Sequence, residues 1–357
     1  MTTNITTLVS SLDRRHFLGT GALFILLPVL PDILPGVTLG SITRGVLFGI
    51  TALGLALLIR HTMLVSFGNM AYFGLGAYAA AFGATYLQVR SAILLFVLAI
   101  AAGTLAAIVV GYIISSHQDI YFALLTLGFA GLVHALAIGS ELTNYSDGLS
   151  VRTELARPTF FGAELPVEVY ELGIYYLAAV CLVVLLFFAW QIITSPFGRA
   201  LQAIGQNRQR ATFIGINVRR YVWAVFVISG LYAGVAGGLF ALLELHIRPG
   251  NTLSVFRSGE LLVMVIVGGF RTLLGPIAGG FLITYLLDTV RFYTDYYYTV
   301  TGIVLLTVVY LLPDGIVGTL IRRSQTADGK TSRRWLSDGP AVVVDSAKQA
   351  LGWVKFW

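Results

Sequence analysis

The chain has 357 residues, 57% of them hydrophobic and only 11% charged, where a soluble domain carries about 25% charged residues. Its mean hydropathy is +0.84, more apolar surface than a water-soluble core hides, so lipid is its solvent. The net charge of +6 would invite a nucleic-acid reading in a soluble domain, but here the arginines cluster in particular loops and no aromatic–basic platform accompanies them. The lone cysteine, Cys181, supports neither an intrachain disulfide nor a cysteine metal site.

Arg14 and Arg15 precede the first apolar stretch. They fit a cytoplasmic segment, residues 1–16, ahead of a first span; a twin-arginine export signal is the other reading. The sequence beyond is membrane-like and has no clear small-residue cleavage site, which favours the anchor.

A helical span needs about 20 apolar residues to cross the hydrocarbon. Candidates lie at 17–35, 38–59, 69–88, 92–114, 120–139, 172–190, 221–243, 259–269, 275–290 and 298–320. The fold class is therefore an all-α polytopic membrane protein of about 10 transmembrane helices, with 8 as the lower count. Pro28, Pro31 and Pro35 interrupt the first candidate. The short segments 259–269 and 275–290 meet at GGFRTLLGPIAGG. Glycine-broken segments of this kind form half-helices where protein or water covers the unwound backbone.

Clustered Lys and Arg mark cytoplasmic loops. With the N-terminus inside, Arg60, His61, the loop 191–220, Arg271 and the tail arginines Arg322, Arg323, Arg333 and Arg334 all fall inside. Only the single residues Arg90, Arg248, Arg257 and Arg291, and the acid-rich segment 140–171, fall outside. Both termini are expected in the cytoplasm, on either side of a permease domain at 17–320. The tail 321–357 ends in an amphipathic stretch with Trp353, Phe356 and Trp357. It suits an interfacial helix and a partner contact equally.

Polar residues inside spans imply partners or a water-lined path, because an unpaired buried polar group is costly. GNMAYFGLGAYAAAF places Asn69 and Tyr72 on a helix with the small face Gly74, Ala77 and Ala81. Close helix packing is one reading, a solute path through Asn69, Tyr72, Tyr121 and Thr126 the other. His134 reads first as a packing histidine. Arg44 is placed to snorkel toward an interface or pair with an acid, and Glu260 and Asp288 to cap helices or pair with arginines. Asp147-Gly148 has turn chemistry, with a role at the outer mouth as the alternative.

The loop at 195–220 contains five arginines and no acid. Ser195-Pro196 starts a helix. Phe197, Leu201 and Ile204 form an apolar stripe at i, i+4 and i+7, flanked by Arg199, Gln202, Gln206 and Arg210. Gly215, Ile216 and Asn217 return the chain to the next span. A headgroup-facing helix and a lever moved by a cytoplasmic partner both fit. No catalytic pair, metal spacing or nucleotide-binding lysine motif occurs, so the chain reads as a non-enzyme with no cofactor of its own. Uphill work would require hydrolysis elsewhere.

Four stretches in this order, VSFGNMAYFGLGAY (65–78), YFALLTLGFA (121–130), SPFGRALQAIGQNRQRATFIGINVRRY (195–221) and VGGFRTLLGPIAGG (267–280), give the chain a family likeness over about residues 38–320. It resembles the M-type permease subunit of branched-chain amino-acid ABC importers, a family that also holds urea and short-amide permeases. The resemblance implies alternating access in the plasma membrane, a homologous second permease subunit, two cytoplasmic ATPase subunits that bind ATP and Mg, and an extracellular solute-binding protein. It also implies a coupling segment holding Phe197, Gly198, Arg199, Leu201, Ile204, Arg210, Gly215, Ile216 and Asn217. The family's usual Ser-Leu-Gly-His/Gln-Gly-Ala-Phe is Ser66-Phe67-Gly68-Asn69-Met70-Ala71-Tyr72 here, and where it has Thr-Gly-Gly before Ser-Asp-Gly this chain has Leu142-Thr143-Asn144-Tyr145. A stand-alone secondary transporter, a membrane enzyme and a non-transporting scaffold explain fewer of these features.

Overall fold

The computed structural model describes residues 38–151, 158–159, 166–293 and short pieces between 296 and 319. The expected first span at 17–35, the flanking Arg14 and Arg15, and the tail 321–357 lie outside the described residues, as do parts of 140–171 and of 298–320.

Eleven α-helices make up almost all of the described secondary structure. They are α1 (Leu39–Thr62), α2 (Asn69–Thr85), α3 (Ala92–Ile114), α4 (Asp119–Gly139), α5 (Val167–Thr194), α6 (Pro196–Gln206), α7 (Arg208–Phe213), α8 (Val218–Glu244), α9 (Pro249–Thr252), α10 (Val255–Gly268) and α11 (Gly275–Tyr293). Local chemistry sets several ends. Thr38 and Ser91 accept backbone N–H bonds at the starts of α1 and α3, replacing partners that the first helical turn lacks. Met63 closes α1 in the left-handed region at φ 56°.

Among the described residues, six helices or helix pairs are long and apolar enough to cross a membrane: α1, α3, α4, α5, α8 and the α9–α10 stretch. The protein is thus an all-α, multi-pass membrane protein with six such spans described, where the sequence count reaches ten. The difference has a physical origin. α2 has 17 residues and the apolar part of α11 runs only from Gly275 to Val290, both shorter than the bilayer core requires of a straight crossing. Of the remaining expected spans, 17–35 lies wholly and 298–320 in part outside the described residues.

Burial separates a core from a rim. The apolar windows of α1 and α8 are 94% and 83% buried, against 28% for α3 and α4. α1 is enclosed by α8, α11 and α5, while α2 fits between α3 and α8. Leu105, Val109, Leu124, Leu132 and Leu136 face outward from α3 and α4, the surface a helix shows to lipid or to another membrane subunit.

The bundle has two distinct ends. One, the loop end, gathers His61, the 112–118 corner, and α6, α7 and the start of α8: Arg208 donates to the His117 carbonyl and Arg219 to that of Tyr112. At the far end, β1 (Leu149–Ser150) pairs antiparallel with β2 (His246–Ile247), Thr85 donates to the Ser150 carbonyl, and Tyr170 to that of Leu242.

Between these ends the chain is twice unwound. Residues 63–68 carry no helix, yet Asn69 bonds to Ser229, in the middle of α8. This non-helical run therefore climbs from the loop end to mid-depth, where α2 begins. Likewise Leu253, between α9 and α10, packs against Gly74 in mid-α2. The broken segments expected near 259–290 thus have a counterpart at 63–68, and both breaks are covered by protein, as the hydrocarbon demands. The glycine-rich turn expected at 268–275 joins α10 to α11, with the Gly268, Gly275 and Gly279 backbones in close approach.

Candidate functional site

The loop-end platform is built by short-range chemistry. Ser195 caps α6: its hydroxyl accepts from the Gly198 N–H and donates to the Ile192 carbonyl, and Pro196 takes the first helical position, where no N–H is needed. The resulting helix is amphipathic. Leu201 and Ile204 are buried, Phe197 stacks on Tyr221 with ring centroids 5.4 Å apart, and Arg199 and Gln206 face outward.

α6 lies directly beneath the core. A Cβ at Gly205 would stand 2.5 Å from the His61 carbonyl oxygen at the end of α1, and one at Gly198 would collide with the Ile192 and Ile193 carbonyls of α5. Both glycines therefore permit backbone contact between the platform and two spans.

α7 is a second step. Asn207 accepts from the Arg210 N–H. At its end Gly215 takes φ +87°, the Gly215 N–H bonds to Thr212 and the Ile216 N–H to Ala211. This is the Schellman arrangement, which satisfies the last carbonyls of a helix and favours glycine at the left-handed position. Asn217 then caps α8 through the Arg220 N–H. The turn leaves Phe213 90% and Ile214 73% exposed, with Arg210 and Arg220 exposed nearby in the chain. Burial holds the Arg208 guanidinium below its ordinary pKa, with the charge of Asp119 acting in the opposite sense.

The residues expected to form the coupling segment, from Phe197 to Asn217, are thus brought together. Sequence reasoning passed over Phe213 and Ile214, adjacent apolar residues just before a Gly-Ile-Asn turn. Their exposure depends on the tight α7 cap, which periodicity does not reveal.

Of the residues expected on a solute path, the structure unites three and separates one. Asn69 donates to the Ser229 hydroxyl at 2.7 Å, while its side-chain carbonyl has no partner. Thr126 accepts from the Phe67 N–H at 3.1 Å, holding the unwound run against α4. Tyr72 is 1% exposed; its ring stacks on Phe129 and meets Phe226 edge-on, and its hydroxyl has no partner. Met70, where the family usually has glycine, is fully buried. Tyr121 lies apart, 70% exposed. Ser229, the partner of Asn69, was missed; its signal is the small-residue run from Ser229 to Gly238 in α8.

At the far end, Asp147 is exposed and its backbone carbonyl meets a ring nitrogen of His246 at 2.9 Å. Gly148 follows at φ +83° with its Cα against Ile247, so this stretch forms the turn expected of Asp-Gly. Arg44 pairs with Glu244 at 2.9 Å and Asp288 at 3.0 Å, and Glu260 with Arg257 at 2.7 Å. Among the described residues, no group of three or more His, Cys, Asp or Glu is placed to hold a metal ion.

Residues 37–309 match the family described as branched-chain amino acid transport system, permease component. The chain is similar to the high-affinity branched-chain amino acid transport system permease protein LivM of Escherichia coli K12, 25% identical over 86% of this chain and 76% of that protein. It is also similar to LivH of the same strain, 25% identical over 79% and 93% of the two chains. The autoinducer 2 import system permease protein LsrC of Enterobacter sp. strain 638 is 28% identical over 90% and 92%. No solved structure matches the chain.

Proposed function

We propose, from the premise that this chain belongs to the branched-chain amino acid transport permease family, that it is a membrane subunit of an ATP-driven importer in the plasma membrane and carries branched-chain amino acids. Separate ATPase subunits supply the work, a homologous permease completes the passage, and a solute-binding protein delivers the substrate from outside. The observation that carries this reading is the loop-end platform. A cytoplasmic partner that grips Phe213 and Ile214 pulls on α7 and α6, and α6 has no slack against α1 and α5, because Gly205 and Gly198 already allow backbone contact. Large apolar side chains set among arginines make a strong anchor for a soluble protein.

The solute would pass the mid-depth region, where α2 begins. Asn69, Tyr72, Thr126 and Ser229 offer hydrogen bonds without net charge, and Phe129, Phe226 and Met70 supply apolar walls. A mainly apolar lining with a few polar groups suits a small solute with an apolar side chain.

A second reading, a permease for urea, short amides or another small polar solute, is favoured by the uncharged character of that lining and by the similarity to an autoinducer 2 permease. The test is uptake by proteoliposomes containing the chain, its partner permease and the ATPases, with the solute-binding protein outside. ATP-dependent uptake of leucine, isoleucine or valine supports the first reading, and uptake of urea or an amide alone supports the second. Uptake by the purified chain without ATPases would refute both.

A further inference from the structure

The far end contains a charge cluster that the transport reading does not use. Arg44, near the start of α1, donates to Glu244, the last residue of α8, and to Asp288 in α11, with Ser41 as a further acceptor at 3.2 Å. The two acids are 200 and 244 residues away in sequence. One guanidinium thus ties the ends of three helices together. Their side chains remain 30–31% exposed. Charges that are reachable near a helix end belong against water or another protein rather than in hydrocarbon, so this end of the trio opens onto a polar space.

The same helix carries the platform contact at its other end. Arg44 and His61 stand on one continuous helix, about 26 Å apart at the helical rise of about 1.5 Å per residue. Between them α1 is almost wholly enclosed. A close-packed helix of this kind moves as a body rather than bending locally, so displacement of α6 against His61 reaches Arg44.

We propose that Arg44 is the positioning residue of an outer gate: its paired carboxylates clasp α8 and α11 to α1, and α1 relays movement of the α6 platform to that clasp. This rests on the reading of the chain as an alternating-access permease whose far end faces outside. The pairs suit a clasp because they are directional and partly hydrated. They can be exchanged for water at modest cost, unlike a fully buried pair.

The test is thiol accessibility in whole cells, with Cys181→Ala as the background. Thr284, one turn inward from Asp288 and buried, serves as the reporter after Thr284→Cys. Leu55→Cys, in the buried middle of α1, reports loss of fold, and Ser146→Cys, exposed at the far end, reports sidedness. A membrane-impermeant maleimide should label position 284 slowly with Arg44 in place. Arg44→Gln should speed that labelling about tenfold or more while position 55 stays protected, and Gly205→Leu at the opposite end should speed it as well. Unchanged labelling at 284 in Arg44→Gln overturns the clasp, as does simultaneous exposure of 55 and 284, which would make Arg44 a packing residue. Unchanged labelling at 284 in Gly205→Leu overturns the relay. Failure to label position 146 from outside would count against the orientation instead, so the two readings fail separately.

Discussion

The two ends of the bundle are fastened by different physics. At the loop end α6 meets the spans backbone against backbone, on the His61 carbonyl and at Gly198 on the end of α5, with a Schellman turn at Gly215 and side-chain bonds from Arg208 and Arg219 beside them. These contacts are stiff, and they leave Phe213, Ile214 and several arginines facing outward. At the far end the fastenings are side-chain ion pairs, a two-residue β tie and a histidine–carbonyl bond. Those can be exchanged for water or for another partner. Under the proposed function this contrast is a division of labour: one end would be held and transmit force, the other part and rejoin.

Four changes break or sharpen this contrast. The largest effect is expected from Gly205→Leu. The new side chain has no room beside the His61 carbonyl, so it wedges α1 out of its seat on α6, and ATP-driven uptake should fall to background while the chain still reaches the membrane. Uptake assays paired with membrane fractionation check this. Next, Phe213→Asp or Ile214→Asp should weaken binding of the ATPase subunits by about 10- to 100-fold, the range of an interface hot spot of about 1–3 kcal/mol. Affinity measured on the assembled complex in detergent decides it, and unchanged binding would show that these side chains face nothing.

The loop end was the more legible of the two. Leu201 and Ile204 declare their buried face through spacing alone, and Ser195-Pro196 and Asn217 mark helix starts, because each of these signals is local. The far-end clasp was legible only in part: Arg44 and Asp288 stood out as isolated charges and Glu244 was passed over, since Arg44 finds its partners on helices remote in sequence. The expected apolar span at 69–88 also concealed that α2 starts at mid-depth. Composition records that Asn69 is followed by apolar residues, but only tertiary packing on Ser229 and Thr126 sets its level. Tyr121 shows the same limit in reverse: it shares a helix with Thr126 but points away from the core.

A smaller effect is expected at Gly215. Its backbone holds φ +87°, and a Cβ there would meet no other atom, so Gly215→Ala tests conformation without steric conflict. The strain of about 1 kcal/mol should loosen the α7 turn and lower transport a few-fold with insertion intact. Normal coupled transport by that variant would remove the turn from the mechanism. The smallest effect concerns the mid-depth bond. A double-mutant cycle of Asn69→Ala and Ser229→Ala should give a coupling of about 0.6–1.7 kcal/mol in detergent unfolding, the range seen between helices in membranes. Zero coupling would mean that the bond is dispensable to the fold.

The central claim is that force enters through the loop-end platform and leaves as movement of the spans. The most direct measurement is the ratio of solute molecules imported to ATP hydrolysed, in proteoliposomes holding the complete complex, for the native chain and for Gly205→Leu. A fixed ratio in the native complex that collapses in the variant while hydrolysis continues is the predicted result. An unchanged ratio in the variant would contradict the account.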